Sequence, residues 1–189
     1  MTLRNTASTW GGLSKTFHWL IVLLLIGQGI LGLTMGDFPR ETRGELIGLH
    51  KSIGITILLL AIARLLWNLF GGRPAPAPGV TPIQHTLAKF GHLLLYALLF
   101  AVPITGWLLT AYGGRDASWF GLFDLPRIVG ENHDLHEMFE ERHEQLFWLL
   151  VLVAVGHAGA ALYHHVFQRD ATLARMLPKG WLRDPRGDA

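Results

Sequence analysis

The sequence predicts an all-α integral membrane protein, a four-helix bundle with both termini in the cytoplasm. Half of the 189 residues are hydrophobic and only 16% are charged, whereas charged residues make up about 25% of a typical soluble domain. Four apolar segments are long enough to cross a bilayer, whose hydrocarbon core is about 30 Å thick. We therefore expect a single membrane domain, residues 1–189, with spans near residues 17–35, 49–70, 87–112 and 143–167.

The segments between these spans contain residues that end helices or prefer water. A polar loop containing Pro39 separates the first two spans, and a Pro/Gly-rich connector at residues 71–82 separates the second and third. Pro103 lies inside the third span and predicts a kink there. The loop before the fourth span carries the amphipathic segment 119–126 (WFGLFDLP), which we expect to lie along the membrane surface.

The distribution of charge predicts how the chain is oriented in the membrane. Four spans place both termini on one side. That side, with its flanking helix ends, holds ten of the 16 basic residues but only three of the 14 acidic ones, a net +7 against −5 on the other side. Because basic residues collect on the cytoplasmic side of membrane proteins, we expect both termini in the cytoplasm.

Composition also excludes several classes of function. Cysteine is absent, which excludes disulfides, cysteine-ligated iron–sulfur clusters and covalent haem attached at C-x-x-C-H. The basic residues flank apolar segments, so they indicate a lipid bilayer rather than a nucleic acid as partner. The first apolar run begins with His18 and contains Gln28, which suits a retained helix better than a cleaved signal peptide.

Four histidines fall at two depths of the predicted membrane domain. His143 and His157 are 14 residues apart in the fourth span, so they share one helix face about 21 Å apart along its axis. The predicted topology places His50 at the outer level with His143, and His18 at the inner level with His157. We expect each pair to supply the two axial ligands of one haem b iron, giving two haems.

Two roles that involve no haem remain open for these histidines. A single intramembrane histidine is often a hydrogen-bonded packing residue or a member of a proton relay. A structural zinc site would need about four ligands at one level. Because each level offers a pair, the pattern favours a porphyrin, which already fills four positions of its iron.

Three further residues lie at the predicted cytoplasmic level. Arg64 follows His50 by 14 residues and would face inward near His157, where it either pairs with a haem propionate or extends to the lipid headgroups. His92 and His164 are candidates for a quinone site, as hydrogen-bond partners of a carbonyl or as proton relays. The remaining histidines are expected to be interfacial or solvated.

Several motifs resemble the bacterial cytochrome b561 family. They are HWL at His18, GLHKSIGI around His50, GHLLLYALLFAVPITGW from Gly91, FGLFDLP, the run GHAGAALYHH, and RDATLARMLP near the end. The resemblance covers about residues 13–178. It implies a dihaem b cytochrome of the bacterial inner membrane, with His18, His50, His143 and His157 as the haem ligands.

Within that family the motifs are most similar to those of the superoxide oxidases. This resemblance implies superoxide as the electron donor on the periplasmic side and membrane ubiquinone as the acceptor. Superoxide is an anion, and the net charge of −5 on the outer side does not attract it. Lys51 beside His50, and Arg142 beside His143, are the residues expected to create a local positive spot.

We therefore expect an oxidoreductase that passes electrons from an outer-side donor to a quinone. The alternative is a haem b anchor subunit that relays electrons for a separate dehydrogenase or hydrogenase, docked on the periplasmic side. A transporter or channel would require polar residues lining a path. The span interiors contain few of these: Gln28, Thr56, Asn68 and Thr105.

Overall fold

Four long α-helices form most of the computed structural model, which describes residues 2–178 and 180–182. Their bounds are Gly12–Thr34 (α1), Arg40–Phe70 (α2), Pro82–Tyr112 (α3) and His133–Tyr163 (α4). A 3-10 turn, Met35–Asp37, follows α1, a π-helical turn, His164–Gln168, follows α4, and a 3-10 turn, Ala174–Met176, lies in the tail. All four helices are long and apolar enough to cross a membrane. The predicted all-α fold with four spans is confirmed.

Each helix begins earlier than the apolar segment from which it was predicted, and side-chain caps stabilise the beginnings of α3 and α4. α3 begins with a capping box, in which Thr81 N donates to Gln84 Oε1 at 2.9 Å and Gln84 N donates to Thr81 Oγ1 at 3.3 Å. α4 begins at His133 behind Asn132, whose Oδ1 accepts from Leu135 N at 3.0 Å. The acidic residues before the fourth apolar segment are therefore helical rather than part of a loop.

A β-hairpin, which the sequence did not predict, occupies the segment expected to be a surface patch. Strand β1, Ala117–Trp119, pairs antiparallel with β2, Phe123–Leu125. Phe120 and Gly121 in the connecting loop have φ values of 49° and 70°, and this left-handed conformation is strained for phenylalanine. Such short strands give almost no periodic signal in the sequence, so the hairpin could not be found from hydrophobic alternation.

The described residues pack as two compact units. The terminal unit comprises the described residues of Met1–Trp19, Ala63–Tyr96 and Leu150–Ala189. The central unit comprises Leu20–Ile62 and Ala97–Leu149. Five of the charged residues used to predict the orientation lie outside the described residues. They are Lys179, Arg183, Arg186, Asp184 and Asp188. One domain over residues 1–189 stays a prediction.

The central unit has a small apolar core and an apolar exterior. Its core contains four buried residues, Ile21, Ile57, Ala61 and Leu99. Leu23, Ile26 and Ile30 share one face of α1 and are exposed. Exposed apolar side chains of this kind suit a helix face that contacts lipid.

Hydrogen bonds link the separate chain segments of the terminal unit. Trp19 Nε1 on α1 donates to the Met176 carbonyl at 2.9 Å, and Lys15 Nζ donates to the Leu177 carbonyl at 2.7 Å. Arg175 Nη1 donates to the Ala75 carbonyl at 3.0 Å. These bonds hold the tail after α4 against the start of α1 and the connector before α3.

Candidate functional site

The terminal unit brings the rings of His18 and His157 close together. Their ring centroids lie 6.3 Å apart, with the ring planes inclined by 75°. His18 comes from the beginning of α1 and His157 from the end of α4. His18 Nδ1 is buried without a hydrogen-bond partner. The pair predicted for the inner level therefore lies within one unit.

The central unit brings His50 and His143 together in the same way. Their ring centroids are 6.1 Å apart and their planes are inclined by 80°. His50 lies on α2 and His143 on α4. Helix α4 thus contributes one histidine to each pair, as the spacing in its sequence predicts.

Both separations fit two imidazoles that ligate one metal ion from opposite sides. A histidine nitrogen binds a metal at about 2 Å, so the ring centroids of two such ligands lie about 6 Å apart. Among residues 2–178 and 180–182, no group of three or more His, Cys, Asp or Glu side chains is arranged to hold a metal. Each pair offers only two ligands, and a porphyrin iron needs two axial ligands.

Each imidazole of the outer pair packs closely against a glycine. A Cβ atom on Gly32 would lie 3.0 Å from His50 Cε1, and one on Gly106 would lie 3.0 Å from His143 Cε1. Contacts this short are tighter than side chains normally make, so both positions need glycine. The two glycines let the His50 ring lie close to the backbone of α1 and the His143 ring lie close to the backbone of α3.

The two imidazoles of the outer pair differ in their hydrogen bonds. His143 Nδ1 donates to the Val102 carbonyl at 2.9 Å, and Thr105 Oγ1 lies 3.3 Å from the same nitrogen. Such a bond fixes Nδ1 as the protonated nitrogen and leaves Nε2 for a metal. His50 Nδ1 is buried without a partner. The backbone carbonyl of His50, not its ring, accepts a hydrogen bond from Gln28 Nε2 at 2.7 Å.

Arg64 lies in the terminal unit near the inner pair. Its guanidinium interacts electrostatically with His18 and His157, and its Cζ lies 5.9 Å from the centre of the Tyr96 ring. Arg64 Nε is buried and has no hydrogen-bond partner. A buried, unpaired guanidinium nitrogen fits an anionic group that is not part of the protein, such as a haem propionate.

The two candidates for a quinone site have different surroundings. The His92 ring lies 5.2 Å from that of His157, beside the inner pair. His164 instead contacts Asp170, whose Oδ2 accepts from His164 Nδ1 at 2.5 Å. Asp170 is 1% exposed.

The residues expected to attract superoxide are engaged with their neighbours. Lys51 Nζ donates to the Asp116 carbonyl at 2.8 Å. The Asp116 carboxylate forms an ion pair of 2.8 Å with Arg127. Arg142 is exposed, and its Nη1 donates to Gln145 Oε1 at 2.6 Å. The positive charge of Arg142 is therefore open to solvent, and that of Lys51 lies beneath the loop before the hairpin.

Several residues that surround these sites could not be found from the sequence. Asp170 contributes to the predicted orientation only as one acidic charge, because its contact with His164 depends on how the chain turns after α4. The Val102 carbonyl is a backbone atom and gives no signal in the sequence. Thr105 is recognisable in the sequence only as a polar residue within a span. Pro103 next to Val102 was the one available sign of irregular backbone near His143.

Comparisons with known proteins find similar sequences along most of this chain. A family model described as prokaryotic cytochrome b561 matches residues 9–179. "Cytochrome b561 homolog 2" of Escherichia coli K12 is 36% identical over 186 residues, which cover 95% of this chain and 96% of the relative. "Probable superoxide oxidase CybB" of Yersinia pestis is 36% identical over 164 residues, which cover 86% and 92%. "Cytochrome b562" of Cereibacter sphaeroides is 30% identical over 171 residues, which cover 87% and 92%.

Proposed function

This chain belongs to the prokaryotic cytochrome b561 family, and we propose that it is a dihaem oxidoreductase that carries electrons from an outer-side donor to a membrane quinone. Membership of the family makes it a multi-pass membrane protein that binds haem b and transfers electrons. The number of haems, the donor and the acceptor are the parts we propose. The observation that carries the proposal is the presence of two separate pairs of facing imidazoles.

In this proposal His18 and His157 ligate the inner haem, and His50 and His143 ligate the outer haem. Haem supplies one-electron redox chemistry when it is bound. The chain fixes the ligands and the access to each site. Gly32 and Gly106 keep the outer site open. The Val102 carbonyl holds the His143 ring in one tautomer.

Arg64 is proposed to hold a propionate of the inner haem. A charged side chain within a span is costly unless it has a partner. Arg64 Nε has none among the described residues, and the guanidinium plane matches the two oxygens of a carboxylate. Extension to the lipid headgroups would expose the guanidinium rather than bury one of its nitrogens.

The proposed acceptor is ubiquinone, which reaches a site formed with His164 and His92. The proposed donor is superoxide. Two superoxide anions would each lose one electron to become dioxygen, and the quinone would gain both electrons and two protons to become the quinol. Support for superoxide comes from the relative named a probable superoxide oxidase and from the exposed Arg142 beside His143.

We also propose that the protein resides in the bacterial inner membrane with both termini in the cytoplasm. The net charge of +7 on the side that holds both chain ends, the connector between α2 and α3 and the flanking helix ends, against −5 on the other side, supports this orientation. The outer pair and the hairpin then face the periplasm.

The second candidate function is an anchor subunit that relays electrons for a partner protein. The hairpin favours it, because Phe120, Leu122 and Phe123 are at least half exposed at its tip and exposed apolar clusters often mark docking surfaces. A partner dehydrogenase or hydrogenase would then supply the electrons.

One experiment separates these two functions. Purified haem-loaded protein is given an enzymatic source of superoxide and ubiquinone-1, with no other protein, and quinol formation is followed. The oxidoreductase is expected to form quinol in proportion to the superoxide consumed. Absence of quinol with superoxide, together with activity restored by a dehydrogenase partner, would favour the anchor subunit.

A further inference from the structure

The backbone after α4 takes an unusual course that brings an acidic residue back to His164. The π-helical turn His164–Gln168 ends at Arg169, which adopts the left-handed conformation with φ 51° and ψ 43°. Asp170 N then donates to the His164 carbonyl at 3.2 Å. π-Helical turns are rare and occur frequently at functional sites, and left-handed backbone is unfavourable for a residue such as arginine. The strained turn places Asp170 beside His164.

The Asp170 carboxylate is buried but has hydrogen bonds to both oxygens. Oδ2 accepts from His164 Nδ1 at 2.5 Å, and Oδ1 accepts from Thr172 N at 2.8 Å. Burial raises the pKa of Asp170, but the hydrogen bonds from Thr172 and His164 outweigh burial and hold its pKa below the ordinary value. Asp170 is therefore ionised at neutral pH, and His164 Nδ1 carries the proton that it donates.

This arrangement leaves the other ring nitrogen of His164 available. His164 Nε2 makes no hydrogen bond among the described residues, and the side chain is 15% exposed. A carboxylate bound to Nδ1–H orients an imidazole and stabilises the imidazolium form. His164 can then gain a proton at Nε2 and deliver it to an oxygen atom in contact with that nitrogen.

We propose that Asp170 is the positioning residue of the quinone site, which orients His164 so that Nε2–H donates a proton to a quinone carbonyl oxygen. This inference rests on the proposed quinone-reducing function. The Nε2–H bond breaks and an O–H bond forms on the quinone, whose two electrons come from the proposed donor. His164 is then protonated again from the aqueous phase, and a second transfer completes the quinol.

Several other charged or titratable groups belong to the same unit, among them His165, whose Nδ1 is buried without a hydrogen-bond partner. The Tyr163 ring lies perpendicular to that of His164, with centroids 6.3 Å apart. Arg169 adjoins Asp170 in the chain. Lys15 and Arg175 from the same unit donate to the backbone carbonyls of Leu177 and Ala75. Asp170 is the acidic group that contacts His164.

The test measures quinone reduction separately from the donor. Haem-loaded protein is reduced with dithionite under anaerobic conditions, and its reoxidation by ubiquinone-1 is followed from about pH 5.5 to 8.5, the range in which histidine titrates. The variants are Asp170→Asn, Asp170→Glu, His164→Gln and the double variant of Asp170→Asn with His164→Gln. Asp37→Asn makes the same chemical change at an exposed carboxylate and serves as the control.

Asp170→Asn is expected to slow reoxidation about 10- to 100-fold, less than the roughly 10²–10⁴-fold that general acid catalysis contributes, because His164 itself remains. The quinone concentration that gives the half-maximal rate should change less. The pH profile of the rate should also differ from that of the wild-type protein, because the carboxylate that orients His164 is gone. His164→Gln should be equally slow and lose this pH dependence. The double variant should be no slower than His164→Gln. Asp170→Glu should recover part of the rate.

The possible results distinguish a failure of the proposed function from a failure of the proposed role of Asp170. If wild-type protein is not reoxidised by ubiquinone-1, the proposed function itself is wrong. If wild type is reoxidised but Asp170→Asn keeps its rate and pH profile, the positioning role is overturned. If Asp170→Asn does not bind haem, the reoxidation rates and pH profiles of Asp170→Glu and His164→Gln test the proposal in its place. A wild-type rate in His164→Gln contradicts the proposal. So does an equal loss of rate in Asp170→Glu and His164→Gln if the pH dependence of the rate is unchanged.

Discussion

Two of the four proposed ligand imidazoles face glycine rather than a side chain. His50 lies against Gly32 and His143 lies against Gly106, each at a distance where a Cβ would collide or nearly collide. A glycine inside a helix is unfavourable by about 1 kcal/mol relative to alanine. Its presence at both positions is explained if the absent side chain leaves room for the ligand ring and for a haem.

We predict that Gly106→Val lowers the occupancy of the outer haem. The new side chain would start 3.0 Å from His143 Cε1 and 3.3 Å from Nδ1, so the ring must turn away from the iron. The haem content should fall from two towards one per chain, measured by the pyridine haemochrome spectrum against protein concentration. Gly27→Val on α1 is the control, because a Cβ there meets nothing within 4 Å. Equal haem contents in the two variants would contradict the steric explanation.

At the scale of elements, the hairpin is attached to α2 by a few polar contacts. Ser52 Oγ accepts from Phe120 N at 2.9 Å and donates to the Gly48 carbonyl at 2.9 Å. Trp119 Nε1 donates to Thr56 Oγ1 at 3.1 Å. A two-stranded hairpin is marginally stable by itself, so its contacts with α2 determine its conformation.

Ser52→Ala is therefore expected to loosen the hairpin without unfolding the helices. It leaves Phe120 N without its acceptor, which costs about 1–3 kcal/mol for a buried donor. Amide hydrogen exchange should become faster across residues 117–125 and stay unchanged within α1 and α3. Ser118→Ala is the matched control, since Ser118 contacts Ser52 through its backbone carbonyl. Unchanged exchange in Ser52→Ala would show that the hydrogen bonds of Ser52 do not hold the hairpin.

At the scale of the whole molecule, the charge distribution predicts the orientation in the membrane. Both termini should be cytoplasmic, because the chain ends, the connector between α2 and α3 and the flanking helix ends together carry ten of the 16 basic residues. Fluorescent protein fused after residue 189 should fluoresce, whereas alkaline phosphatase fused there should be inactive. A phosphatase fusion within the loop before α4 should be active and serves as the internal comparison. The reverse pattern would place the outer pair on the cytoplasmic side.

The sequence predicted those features that depend on local spacing. Apolar runs predicted the four helices, and the interval between His143 and His157 predicted that α4 serves both pairs. The hairpin was missed because its short strands are stabilised by contacts with α2. Asp170 was missed because its contact with His164 requires a π-helical turn and a left-handed arginine, which no periodic pattern encodes.

The haem content of the purified chain is the most direct measurement of the central proposal. Wild-type protein should contain two haem b per chain, and His50→Ala and His143→Ala should each contain one, with the inner haem retained. His18→Ala and His157→Ala should each retain the outer haem instead. Distinct potentials in a redox titration would identify which haem remains. One haem per wild-type chain, or loss of the same haem from His50→Ala and His18→Ala, would contradict the assignment of two histidine pairs to two haems.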